Sequence, residues 1–163
     1  MNYHGKATSA IVKVMSDAQT LPNAGSVDCT NMLETVGSTK GNLWIDVYAN
    51  TDISIATAQA FSIEFQSFSA DTAASAIPPF SVDNLGMNPS TKGIGTAESD
   101  AHMYLLHKTS ADGALAFSAG DLITQMAVPE DLMKALSHDF CQLVYLTDAS
   151  EIAEKVDTIA YYK

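Results

Sequence analysis

Residues 42–68 (NLWIDVYANTDISIATAQAFSIEFQSF) restrict the fold of this chain more than any other stretch. Leu43, Ile45 and Val47 alternate with Trp44, Asp46 and Tyr48. Further on, Phe61, Ile63 and Phe65 alternate with Ser62, Glu64 and Gln66. Successive side chains of a strand point to opposite faces, so a period of two gathers each apolar trio on one side. On a helix the same residues would spread around the cylinder. Burial of Phe61, Ile63 and Phe65 contributes about 1.5–3 kcal/mol each. The connection at 50–59 is small and polar, so the two runs read as strands of one antiparallel sheet. Glu64, on the polar face, is expected in water.

The rest of the chain repeats this grammar. Residues 1–8 have few apolar anchors and read as a mobile arm, followed by a short edge strand at 10–15. The β domain then runs over 16–163. Leu21-Pro22-Asn23 and Ala24-Gly25 are turn signals, and Val27 and Cys29 alternate in a strand at 26–33. Residues 69–95 carry Pro78, Pro79, Gly86, Pro89, Gly93 and Gly95, and form a loop well beyond the usual 4–6 residues. Ile77, Phe80, Val82 and Leu85 are its apolar anchors, and long loops of this kind often carry binding. Strand character returns at 101–108, Asp112-Gly113 marks a tight turn, and strands follow at 114–117 and 122–128. Pro129, Glu130 and Asp131 suit the first turn of one short helix over 129–136. The last strands are 140–146, with Val144 and Leu146 assigned to the core, and 156–162. The count is about eight or nine short strands in a single all-β domain, which points to a sandwich, a jelly roll or a barrel.

Charge narrows the partners. Nineteen acidic residues stand against eight basic ones, all lysine, for a net charge of −11. A chain without arginine lacks the planar fork that grips phosphates, and its charge repels a nucleic-acid backbone. Anionic membrane surfaces are disfavoured for the same reason. No apolar run reaches the roughly 20 residues of a membrane helix, and the N-terminus has no signal-peptide pattern, so the expectation is a soluble protein made in a cytosol. Cys29 and Cys141 form no C-x-x-C pair and read as two buried thiols.

No constellation for catalysis, metal or cofactor emerges. His102 and His107 are five apart and face opposite ways on a flat strand; His4 lies in the arm and His138 in a turn. The scattered aspartates form no calcium loop, Gly93-Ile94-Gly95 is a bare G-x-G, and there is no G-x-S-x-G elbow. Aromatic residues remain. Trp44 and Tyr48 share the face opposite Leu43, Ile45 and Val47, so they need cover from the chain itself or from a partner. With Ile77, Phe80, Tyr161 and Tyr162 they are the candidate partner-contact residues.

Several segments together resemble one family. They are Ser16-Asp17-Ala18-Gln19, Val27-Asp28, Gly41-Asn42-Leu43-Trp44-Ile45-Asp46-Val47, residues 60–68, Ala127-Val128-Pro129 and the closing strand pair. In this order they resemble the capsid cement, or decoration, proteins of short-tailed double-stranded DNA phages, typified by that of a Bordetella phage. The loop at 69–95 and the insert at 130–138 are longer than that family's pattern. The resemblance implies a jelly-roll-like β-sandwich without catalytic residues. It would sit on the outer capsid surface of a virion assembled in the host cytoplasm, bound to the major capsid protein as a homodimer or homotrimer. The rival reading is a carbohydrate-binding or adhesin-like module.

Overall fold

A computed structural model of the chain describes residues 11–35, 42–68, 103–135, 138–149 and 153–163. The arm at 1–8, Ile77, Phe80 and the loop at 69–95 lie outside the described residues. In chain order the elements are β1 (Ile11–Thr20), β2 (Gly25–Asp28), β3 (Leu33–Glu34), β4 (Leu43–Ala49), β5 (Ile53–Ile55), β6 (Phe61–Phe68), β7 (Met103–Lys108), β8 (Leu115–Phe117), β9 (Leu122–Ala127), α1 (Glu130–Ala135), β10 (Phe140–Thr147) and β11 (Lys155–Tyr162).

All strand pairings are antiparallel. One sheet has the order β1-β11-β4-β9 and the other β2-β10-β6-β7, with β3 also paired to β10. A separate small ribbon joins β5 to β8. Setting β3, β5 and β8 aside and renumbering the eight remaining strands, the facing orders are 1-8-3-6 and 2-7-4-5. This alternation between sheets is the jelly-roll wind, in which each strand is followed by one in the opposite sheet, except at one hairpin-like step. Here that step is β6 to β7.

The core lies between the sheets. Leu43, Ile45, Val47 and Ala49 of β4 enter it from one side, and Phe61, Ile63 and Phe65 of β6 from the other. The two runs of 42–68 are therefore not neighbours in one sheet, as alternation suggests, but face each other across the sandwich. Their periods are identical in either arrangement. What separates them is β5, which takes the connection across the end of the barrel-like body and buries Ile53 and Ile55 there. The core has a polar cross-link: the hydroxyls of Tyr145 on β10 and Thr158 on β11, both fully buried, are hydrogen-bonded across the sheets. α1 closes the other end with Met133.

Three further boundaries differ from the pattern. The strand expected at 26–33 is broken into β2 and β3. Between them Asn31 N–H donates to the Met15 carbonyl (2.8 Å) and Thr30 N–H to Ser16 Oγ (3.3 Å), so the segment leaves β10 to bond β1 of the facing sheet. β1 itself continues through Thr20, past the expected turn. Its register shifts three times, and Ala18 takes a left-handed φ of 50°. Asp157 holds that kink, its Oδ1 accepting from Ala18 N–H at 2.7 Å and its Oδ2 from Asn50 Nδ2 at 3.0 Å. Finally, Val144 is buried as expected, at 4 % exposed, but it and the half-buried Leu146 lie on the face of β10 away from the cluster between the sheets. Val144 is opposite Glu64 and Leu146 opposite Ser62, on the outer face. The inward residues of β10 are Cys141, Leu143 and Tyr145.

Candidate functional site

The outer face of the β1-β11-β4-β9 sheet gathers the aromatic residues. Strand alternation places Trp44, Asp46 and Tyr48 of β4 there. Register brings Tyr161 of β11 beside Trp44, Ile159 beside Asp46, and Gln125 of β9 beside Asp46 on its other flank. Asp46 is fully buried and is the hub. Its Oδ2 accepts from Tyr48 OH at 2.8 Å; its Oδ1 accepts from Gln125 Nε2 at 2.7 Å and from Tyr161 OH at 3.1 Å. Gln125 Nε2 also donates to Tyr161 OH at 2.8 Å. A buried carboxylate needs such donors, because it brings no proton of its own. Burial first, and then the neighbouring Asp46, push the Tyr48 phenol well above its usual range, so it stays protonated at neutral pH. The network ties β4, β9 and β11 together on this face.

Trp44 is half-buried beside this hub, with Lys163 Nζ 4.8 Å from its ring centroid. Of the six candidate contact residues, Trp44, Tyr48 and Tyr161 thus share one face. Tyr48 and Tyr161 are only 5 % and 6 % exposed, already covered by the chain itself. Tyr162 turns the other way and packs against the central core, as the next residue along a strand must. Asp46 and Gln125 are the members that sequence reading did not single out. The sequence signal for Asp46 is a polar residue between two aromatics on an alternating strand; Gln125, between Ile123 and Ala127 on its face of β9, has none.

The outer face of the second sheet is also buried and polar. Glu64 is 3 % exposed, which corrects its expected place in water. It lies on an interior strand between Val144 of β10 and Tyr104 of β7, which cover it from both flanks. Gln66 Nε2 donates to Glu64 Oε1 at 3.2 Å, and Gln142 Nε2 to Gln66 Oε1 at 3.2 Å. His107 Nδ1 and Ser62 Oγ are 2.8 Å apart, and the His107 and Tyr104 rings are 4.4 Å apart between centroids. At the α1 end, His138 Nδ1 and Ser67 Oγ are 2.7 Å apart, with His138 3 % exposed and Ser67 fully buried. Burial lowers the pKa of both histidines; Asp112 opposes this at His107 and Asp139 at His138. His4 and His102 lie outside the described residues.

Cys29 and Cys141 are free, buried thiols. Burial pushes the Cys29 thiol up to about 11 and the Cys141 thiol well above its ordinary value. Buried, apolar surroundings of this kind disfavour the thiolate form. Among the described residues, no group of three or more His, Cys, Asp or Glu is placed to hold a metal ion. No helix among them is long and apolar enough to cross a membrane.

No protein-family model, no curated protein and no solved structure matches this chain.

Proposed function

We propose that this chain is a structural virion protein, a cement or decoration protein that binds the outer surface of a major capsid protein lattice as a homo-oligomer and stabilises the shell. The observation that carries the reading is the strand order 1-8-3-6 facing 2-7-4-5, the wind used by viral capsid and lectin domains. Scaffold alone does not fix function, so a second support is needed. It comes from the resemblance carried by Ser16-Asp17-Ala18-Gln19, residues 41–47 and Ala127-Val128-Pro129. An acidic chain without arginine, net charge −11, is also better suited to the outside of a shell than to contact with a packaged genome. Modest contacts repeated over a lattice sum to strong attachment.

A carbohydrate-binding module is the second reading, favoured by Trp44, a half-buried ring beside a polar hub on a lectin-type scaffold. One pair of measurements separates the two. The cement reading expects a major capsid gene beside this one, and co-sedimentation of the protein with shells of that capsid protein, with saturation at a fixed ratio. The carbohydrate reading expects retention on a glycan array that Trp44→Ala abolishes. Protein that stays in the supernatant at micromolar concentrations and is held by glycans overturns the first reading.

A further inference from the structure

Lys108, the last residue of β7, is a buried cation that no part of the proposed function uses. It is 4 % exposed. Its Nζ donates to three main-chain carbonyls: Gln59 at 2.5 Å, Thr109 at 3.2 Å and Thr57 at 3.3 Å. An ammonium has three donors and no acceptor, so these oxygens use its whole capacity. Burying a charge is costly unless it is satisfied in this way.

Both turns that carry these carbonyls have hydrogen bonds of their own besides those to the lysine. In the turn before β6, Gln59 N–H donates to the Ala56 carbonyl (3.0 Å) and Ala56 N–H to Gln59 Oε1 (2.9 Å). In the turn after β7, Asp112 N–H donates to the Thr109 carbonyl (3.1 Å), and Thr109 N–H to Asp112 Oδ2 (2.7 Å). Asp112 itself is held below the usual carboxylate range by the Thr109 amide and hydroxyl, with Lys108 and His107 adding to the effect. Two independently locked turns thus present converging oxygens to one point. Carbonyl oxygens placed in this way replace the hydration shell of monovalent cations in other proteins.

We propose that the Thr57, Gln59 and Thr109 carbonyls form a preformed site for a monovalent, ammonium-class cation, which the chain fills with its own Lys108. The lysine ties together two of the places where the chain crosses between sheets at the β5–β8 end, the connections through β5 and through β8. If its side chain is shortened, the site takes a free guest of the same chemistry.

The test compares thermal midpoints of wild type, Lys108→Ala and Lys108→Met in propylammonium chloride and in tetramethylammonium chloride at equal ionic strength. Propylammonium restores the atoms that Lys108→Ala removes; tetramethylammonium has no N–H to donate. Lys108→Ala is expected to lose about 5 °C or more and to recover at least half of it in propylammonium only. Wild type should respond equally to both salts. Lys108→Met, which keeps an apolar stem in place of the lysine, should lose stability and recover in neither. Equal midpoints for Lys108→Ala in the two salts, or a Lys108→Met variant as stable as wild type, overturn the proposal. If Lys108→Ala does not fold, nitrogen-15 NMR of the wild-type protein decides. A slowly exchanging lysine ammonium signal, coupled through hydrogen bonds to the three carbonyl carbons, is the expected result; its absence overturns the site.

Discussion

At the level of single residues, two buried imidazoles make stability sensitive to mild acid. His138 and His107 each keep Nδ1 on a serine hydroxyl, at Ser67 and Ser62, in surroundings that disfavour charge. Their pKa values are lowered from 6.5 in the folded state, chiefly by burial. The unfolded chain therefore binds more protons as pH falls through about 6.5, and stability drops with it. The contribution is intact above that pH and is lost on descent towards the depressed folded values. Urea denaturation at pH 7 and pH 5 should show wild type losing stability on acidification. The double variant His107→Gln, His138→Gln should lose less, because glutamine keeps a hydrogen-bonding group and cannot titrate. Equal losses would mean that neither ring is held neutral. Asp112 responds only below its ordinary value of 3.8 and does not blur this window.

At the scale of elements, most of what the sequence could specify was the local period. Leu43, Ile45, Val47, Phe61, Ile63 and Phe65 all reach the core because alternation on a single strand assigns them there. The short helix was legible too, from Pro129 and the acidic first turn of α1. Partners across a sheet were not legible, and this accounts for each departure. β4 and β6 have the same pattern whether they pair or face each other. Glu64 and Asp46 look solvated on their own strands and are covered by Val144, Tyr104, Ile159 and Gln125 from the strands alongside. β10 reads FCQLVYLT, nearly continuous in apolar residues, so its phase is set by its pairing with β6 and not by its own sequence. Of the candidate site, alternation found Trp44 and Tyr48 on one face but had no means of placing Asp46 as their hub. The phase of β10 gives a direct check. Leu143→Ala, which empties a fully buried core position, should cost about 2–5 kcal/mol. Leu146→Ala, on the outer face and half-buried, should cost roughly 1 kcal/mol or less. Chemical denaturation of the two variants measures the difference, and the reverse ranking would mean that β10 is in the opposite phase.

For the molecule as a whole, the wind of the sheets makes the last strand central. β11 lies between β1 and β4, pairing with both. It also supplies Val156 and Ala160 to the core and Thr158 to the cross-link with Tyr145. A chain lacking residues 155–163 would leave β1 without a pairing partner and strip β4 of one flank, so only the β4–β9 pairing of this sheet would remain. Deletion of these residues should abolish the cooperative thermal transition and the near-ultraviolet circular dichroism of the packed aromatics. A truncated chain that still melts sharply would show that the β11 pairings are dispensable. Pairings so distant in sequence also place the protein among slow-folding topologies, with folding in roughly milliseconds to seconds.

The pairing of Ile11 with Tyr161 brings the entry and the exit of the folded body to one pole. The turns held by Gln59 and Asp112 lie at the other pole. Cargo grafted before β1 or after β11 would therefore emerge at the same place, leaving the opposite pole unobstructed. The body is thus nearly a ring, and a short bridge could close it while new termini are opened at the far pole.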